Sequence, residues 1–306
     1  MDQQTNNEYG IKVAMFINEP KYLGTISEEE AKALGATLFS YTYGDESLGY
    51  KLTIYWAVNT HEDTIVRARY TYEGIASGIA VNHILALICT NKSIPQINDI
   101  SYKALERLLR DNPTIEALPA SERYTITFAI DAAKLAVKEY IHTPLSHEEK
   151  TVPCKDSPMS IASIKESIEL HNIDTLEGLV EYTKAGSSDA ACKENLLSYI
   201  EAHQKLLEEQ KEAENALADV PFRELSTGYK IMAVETAIDN TVRQFLIMDG
   251  GDIDVLNVKE NGEIFEVYIS YLGACSDCSS SGTGTLQAIQ NALRDKLDPN
   301  IYVIAI

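Results

Sequence analysis

Residues Gly273-Ala274-Cys275-Ser276-Asp277-Cys278-Ser279-Ser280-Ser281-Gly282-Thr283-Gly284-Thr285-Leu286 place a CxxC in a turn between two segments of different period. Upstream, Phe265, Val267, Ile269 and Tyr271 alternate with Glu266, Tyr268 and Ser270, the period of a half-buried strand. Downstream, Leu286, Ile289, Leu293 and Leu297 recur at steps of three and four, which predicts a helix capped by Thr283 or Thr285. The thiols therefore stand beside a helix N-terminus. The partial positive charge there favours thiolate, lowering a cysteine pKa from about 8.5 and making the sulfur a metal ligand or a nucleophile.

Working outward, a helix over Ile231–Met248 meets the turn Asp249-Gly250-Gly251-Asp252, whose glycines supply backbone freedom beside the CxxC loop, and a strand over Ile253–Lys259 turns at Asn261-Gly262. A last strand over Tyr302–Ile306 completes an αββαβ unit from about Gly228. Further upstream, Lys193–Leu217 reads as a charged helical connector, and residues 152 to about 200 as a small helical unit with segments at Ile161–Leu170 and Leu176–Tyr182. Before it lies a polar, proline-containing linker, Thr143–Pro153. The first part predicts antiparallel strands Leu38–Tyr43, Tyr50–Val58 and Thr64–Tyr72, then helices Ser77–Cys89, Tyr102–Arg110 and Arg123–Ile141.

The whole chain of 306 residues has room for two or three domains, and 45% hydrophobic content permits real cores. A net charge of −20 repels nucleic-acid phosphate and anionic lipid, so neither nucleic acid nor membrane is expected as a partner. The opening residues Met1–Glu8 are polar, without the basic start and apolar core of an export signal, and a cytoplasmic location is expected. An odd count of five cysteines suits a reducing compartment in which thiols bind metal or react. Cys89, among Ile84, Leu85, Leu87 and Ile88, is expected to pack as a small hydrophobe. The six histidines show no HxxH or HExxH spacing, which leaves them surface or loop roles.

On its own a CxxC admits a redox pair, half a zinc site or half an iron–sulfur site. With Asp249-Gly250-Gly251-Asp252 upstream, Gly273-Ala274 before it and Thr285-Leu286 after it, the final region resembles the Nfu-type C-terminal domain of the NifU family; Ser279 stands where a proline is usual. The resemblance implies a [4Fe–4S] cluster held by Cys275 and Cys278 of two protomers, hence a homodimer that serves apo iron–sulfur proteins. Ligand counting agrees, because a cubane needs four thiolates and each chain supplies two.

The middle region resembles the family's helical [2Fe–2S] domain, whose four ligand positions read here Cys154, Asp156, Asp189 and Cys192. Carboxylates are harder donors than thiolates. A vestigial structural domain, a labile [2Fe–2S] cluster and a single metal ion all stay open.

Tyr43-Gly44-Asp45, Ser77-Gly78-Ile79-Ala80, Thr90-Asn91-Lys92-Ser93 and Ala132-Ala133-Lys134 resemble the IscU-like scaffold domain that opens the family. The ligand cysteines would fall at Tyr43, Ile75 and Thr125; of that site only Asp45 persists, so no cluster assembly is expected there, while a surface for a cysteine desulfurase is implied. The expected fold is α+β and multidomain: an IscU-like α+β domain at 12–142, a small helical domain at 150–200, a helical linker at 201–227 and an αββαβ Nfu-type domain at 228–306. The expected function is a non-enzymatic scaffold or carrier. A desulfurase adaptor and a CxxC thiol–disulfide oxidoreductase are the alternatives.

Overall fold

The central strand of the first sheet sorts its side chains by parity. Tyr50, Leu52, Ile54, Trp56 and Val58 all enter one core, as alternation on a pleated strand requires. This strand, β2 (Tyr50–Asn59), pairs antiparallel with β1 (Thr37–Asp45) on one side and β3 (Thr64–Glu73) on the other, with a register shift at Ala57/Val58. The computed structural model describes residues 9–218, 220–243, 245–246, 251–273 and 281–306, and divides into two units, up to Lys205 and from Leu206. Each unit has its own sheet and hydrophobic core, so the chain is α+β and multidomain.

In the first unit, helices α1 (Ile11–Asn18) and α2 (Glu28–Ala33) precede the sheet, and α3 (Ala76–Cys89), α4 (Tyr102–Leu109) and α5 (Tyr124–Tyr140) follow it. Helix α3 packs on β3 and α5 on β1 and β2, covering the core face; α2 covers the other face through Ile26, Ala31, Ala36 and Ala57. The predicted linker contains a short helix, α6 (His147–Lys150), set by a capping box of Ser146 and Glu149. Helices α7 (Ile161–His171) and α8 (Leu176–Thr183) come next, each opened by a hydroxyl cap, Ser160 and Thr175.

The middle segment shares the core of the first unit. Cys154, Met159, Ile164, Ile168, Leu179, Cys192, Leu196 and Ile200 join the cluster that contains Trp56 and Phe128. Helix α9 (Lys193–Ala218) departs from the reading as a solvated connector at its start, where Leu196 and Ile200, four apart on one face, are buried.

In the second unit, α10 (Thr227–Ile238) runs into a π turn at Asp239–Arg243. Strands β4 (Gly251–Asn261) and β5 (Ile264–Gly273) form the hairpin predicted at Asn261-Gly262, where Gly262 has φ +66°. Helix α11 (Ser281–Lys296) and β6 (Ile301–Ala305) follow, with β6 parallel to β5. Asp249-Gly250 and the end of the predicted helix over Ile231–Met248 lie outside the described residues. No helix among the described residues is long and apolar enough to cross a membrane.

Candidate functional site

The second unit frames the CxxC. The inward face of β5, with Phe265, Val267 and Ile269 buried, leads to Gly273, and the chain next enters the described structure at Ser281, the start of α11. Cys275 and Cys278 lie between these points, outside the described residues. Helix α11 starts ahead of the predicted caps Thr283 and Thr285, and its Ile289 and Leu293 are fully buried against β5 and β6 side chains. Arg243 bridges two acidic residues. It donates to Asp239 four residues back and to Asp252 Oδ1 at 2.7 Å, joining the end of α10 to the start of β4.

In the middle segment the structure brings together three of the four positions read as ligands. The donor atoms of Cys154, Asp156 and Cys192 lie within 4.8 Å of one another, and the two sulfurs are bonded as a disulfide. Asp156 is occupied. Its Oδ2 accepts from the N–H groups of Ser188 (2.6 Å) and Asp189 (2.9 Å) and the hydroxyls of Ser187 (3.1 Å) and Ser188 (3.3 Å), and its Oδ1 from the Gly186 N–H (3.2 Å). Burial works against the charge, but the N–H donors of Ser188, Asp189 and Gly186 outweigh it and hold the carboxyl below the ordinary Asp range. Asp189 lies outside the group of three. It accepts from the N–H groups of Lys155 and Ala191, each at 3.0 Å, tying the two ends of the segment together.

The positions where the resemblance places the N-terminal ligands hold aromatic and packing groups. Tyr43, near the end of β1, stacks on Phe128 with ring centroids 4.9 Å apart, and Phe128 meets Tyr50 edge-on at 5.1 Å. Gly44 beside it has φ +80°, and a Cβ there would meet Tyr50 O at 2.6 Å and the Phe128 ring at 2.9 Å, so only glycine fits. Ile75 is the residue before α3, and Thr125 bonds back to Glu122 O at 2.7 Å in the first turn of α5. Asp45 caps Ser47 at 2.7 Å.

These rings are roofed by the middle segment. Tyr50 Oη donates to Asp156 O at 3.0 Å and Tyr43 Oη to Pro158 O at 3.1 Å, while the Lys184 ammonium sits 4.9 Å from the Tyr50 ring centre and 4.7 Å from that of Tyr124. Tyr43 Oη also donates to Asp131, whose other oxygen accepts from Ser163 at 2.6 Å. Burial raises the Asp131 carboxyl pKa against these two donors, and burial followed by the Asp131 charge raises the Tyr43 phenol well above its ordinary value. Sequence reasoning missed Asp131 and Lys184. The signal was a carboxylate directly after Ile130 on the apolar stripe of α5, and an abundance of tyrosine, 17 in the chain, with no partner yet assigned.

The histidines divide. His83 is buried, stacked on Phe16 at 4.5 Å and edge-on to Tyr22 at 4.9 Å; His171 stacks on Tyr182 at 3.8 Å. Both depart from the expected surface or loop roles, because a neutral imidazole packs as an aromatic ring. Cys89 is buried as expected, its thiol pKa pushed up to about 12 by burial.

Fold and sequence together define an α+β chain of two units, with a pair of cysteines in the sequence between β5 and α11 of the second. The family model for the NifU-like N terminal domain matches residues 8–146, and that for the NifU-like domain matches residues 234–304. The nitrogen fixation protein NifU of Nostoc sp. (strain PCC 7120 / SAG 25.82 / UTEX 2576) is 27% identical over 315 residues, covering 98% of this chain and 99% of that protein. NifU of Azotobacter chroococcum mcd 1 is 23% identical over 318 residues, with 98% and 96% covered, and NifU of Anabaena sp. (strain L31) is 40% identical over 85 residues, with 28% and 71% covered. The chain belongs to the NifU family of iron–sulfur cluster assembly scaffold proteins.

Proposed function

We infer that this chain holds its iron–sulfur cluster on Cys275 and Cys278, two thiolates from each of two protomers ligating one [4Fe–4S] cluster that is then passed to apo-proteins. The carrying observation is the family match over residues 234–304, which contains the chain's single CxxC, while Tyr43, Ile75 and Thr125 offer no soft donor. A thiol pair placed in sequence between a strand end and a helix start suits exchange of a cargo cluster, because connecting segments carry sites that must stay open to partners. In this reading the parts are an N-terminal region at 12–142 that docks a cysteine desulfurase, a middle region at 150–200, a helical linker at 201–227 and a cluster-bearing region at 228–306, in a cytoplasmic homodimer. The aromatic filling around Tyr43 favours one second reading, an adaptor that meets the desulfurase without itself assembling a cluster.

Anaerobic reconstitution of the full chain with iron and sulfide separates the two. About four irons per dimer with a [4Fe–4S] Mössbauer signature, lost in Cys275→Ser and in Cys278→Ser, is the expected result. Iron content that survives both substitutions refutes the site; a wild-type chain that takes up no cluster yet binds a desulfurase establishes the adaptor.

A further inference from the structure

Two sulfurs in the middle segment stand apart from the cluster reading. Cys154, in the extended chain after α6, and Cys192, just before α9, are bonded across a sequence separation of 38, with their Cα atoms 5.3 Å apart. The carboxylates at the two companion positions are committed to the backbone of residues 155 and 186–191. A carboxylate oxygen has about two lone-pair sites, and Asp156 Oδ2 already serves two N–H groups and two hydroxyls. A cation at this place would have to displace donors that shape the loop, and the zinc or iron sites such ligands build want four donors. The donor set thus favours sulfur–sulfur chemistry over metal.

What the link encloses is the roof over the rings. Asp156 O and Pro158 O, which accept from Tyr50 and Tyr43, lie between the two cysteines, as do Lys184 and the bond from Ser157 Oγ to Thr183 O at 2.8 Å. Both cysteines are buried, 4% and 1% exposed, so the closed form shields the bond from exchange.

We propose that Cys154 and Cys192 are an oxidative modification site, a dithiol–disulfide couple that in its oxidised form fastens the 154–192 segment over Tyr43 and Tyr50. The oxidant class is a low-molecular-weight disulfide of the glutathione type. One protein thiolate attacks it, forming a mixed disulfide and releasing one thiol; the second thiolate attacks the mixed disulfide and releases the other. Two protein thiols are oxidised, one external disulfide is reduced to two thiols, and the two protons pass to the released thiolates. The couple uses neither Cys275 nor Cys278.

The test uses the full chain carrying Cys275→Ser and Cys278→Ser, equilibrated in glutathione buffers, alkylated and digested with trypsin. The expected product under oxidised glutathione is Thr151–Lys155 linked to Ala185–Lys193, reversed by excess dithiothreitol given time for opening. Native cleavage after Lys184 is expected to speed up about tenfold or more on reduction, as the enclosed loop gains freedom. Failure to form the linked peptides overturns the proposal, as does equal cleavage of the two forms. So does about one zinc or iron per reduced chain that Cys154→Ser removes, because the pair would then be a metal site.

Discussion

Replacing Asp156 by alanine removes the acceptor for three backbone N–H groups and two hydroxyls at one stroke. The cost follows from which donors water can recover. Ser187 and Ser188 are exposed and rehydrate, Asp189 is half-buried, and Gly186 is buried, so its N–H is left with nothing in place of the carboxylate. A hydrogen bond to a charged acceptor contributes about 1.5–3 kcal/mol net, and an unsatisfied buried donor costs about 1–3 kcal/mol. Counting one stranded donor and one partly rehydrated one gives about 3 kcal/mol. With a urea m-value of about 3 kcal/mol/M for a unit of this size, the midpoint falls by about 1 M. Asp156→Asn keeps one acceptor oxygen but turns an amide N–H₂ toward N–H donors, and about half the loss is expected.

The assay is equilibrium urea unfolding of the full chain followed by tryptophan fluorescence. Trp56 is the only tryptophan and is 1% exposed in the core of the first unit, so the signal reports that unit alone. The effect depends on pH. The folded pKa of Asp156 lies below the unfolded value of about 3.9, so its stabilisation is fully present above that value and is lost as pH falls through the folded pKa. Wild type and Asp156→Asn therefore converge in acid. An unchanged midpoint in Asp156→Ala, or a loss that appears only after zinc or iron is added, refutes the assignment of this carboxylate to the loop backbone.

Reduction of the Cys154–Cys192 link, or Cys154→Ser with Cys192→Ser, is expected to lower the stability of the first unit by up to about 4 kcal/mol, the chain-entropy value for a loop of this length; Trp56 fluorescence in urea with and without reductant measures it. His171 is held near a pKa of about 4 by burial and then by the charges of Lys103 and Arg123, so the unfolded chain takes a proton that the folded one refuses. Stability should fall as pH drops from 6.5 toward 4, and His171→Phe should flatten that part of the curve in thermal unfolding at a series of pH values. Lys230, 2% exposed, donates to Arg223 O (3.1 Å), Leu225 O (2.6 Å) and Glu260 Oε1 (2.5 Å), and Lys230→Met strands two carbonyls. A loss of about 2 kcal/mol confined to the second unit is expected, read by amide hydrogen exchange in β4 and β5 with no change in Trp56 emission.

Periodicity made most elements legible because it records burial directly. The alternation of Tyr50, Leu52, Ile54, Trp56 and Val58 and the stripe of Ile126, Ile130, Ala133, Val137 and Ile141 each point at a single core, and the structure places them there except Ile141, which is exposed at the C-terminal end of α5. What periodicity cannot convey is which core a segment shares. Leu196 and Ile200 open a strongly charged helix, and nothing local separates them from the exposed Leu206 on the same helix; only the residues packed against them do. Site chemistry was legible by type more than by use. Of Cys154, Asp156, Asp189 and Cys192, singled out as a set, the structure brings the donor atoms of three together, but that the carboxylates face backbone N–H groups depends on the path of residues 184–189, where Lys184 and Gly186 take positive φ. The short helix at His147–Lys150 was hidden for a smaller reason: four residues show no period, and its sign was the Ser146/Glu149 capping pair.

Where the resemblance places metal ligands, the chain is tied together by other means. A metal–thiolate centre organises a loop by giving several chain segments one point of attachment. In the middle segment Asp156 supplies such a point, since one carboxylate can accept from several N–H groups at once, and those of Gly186, Ser188 and Asp189 converge on it. In the N-terminal region the surroundings of Tyr43 are filled by volume: Tyr43 and Phe128 stack, Tyr50 meets Phe128 edge-on, and glycine at position 44 lets the rings come that near. The two arrangements depend on each other. The Tyr50 hydroxyl needs an acceptor where it is buried, and it finds one in the carbonyl of Asp156, on the chain that the Asp156 carboxylate and the Cys154–Cys192 link hold in place. A double-mutant cycle between Tyr50→Phe and Asp156→Asn should therefore give a coupling energy of about 0.5–1.5 kcal/mol; strict additivity would mean that the roof and the rings are held independently.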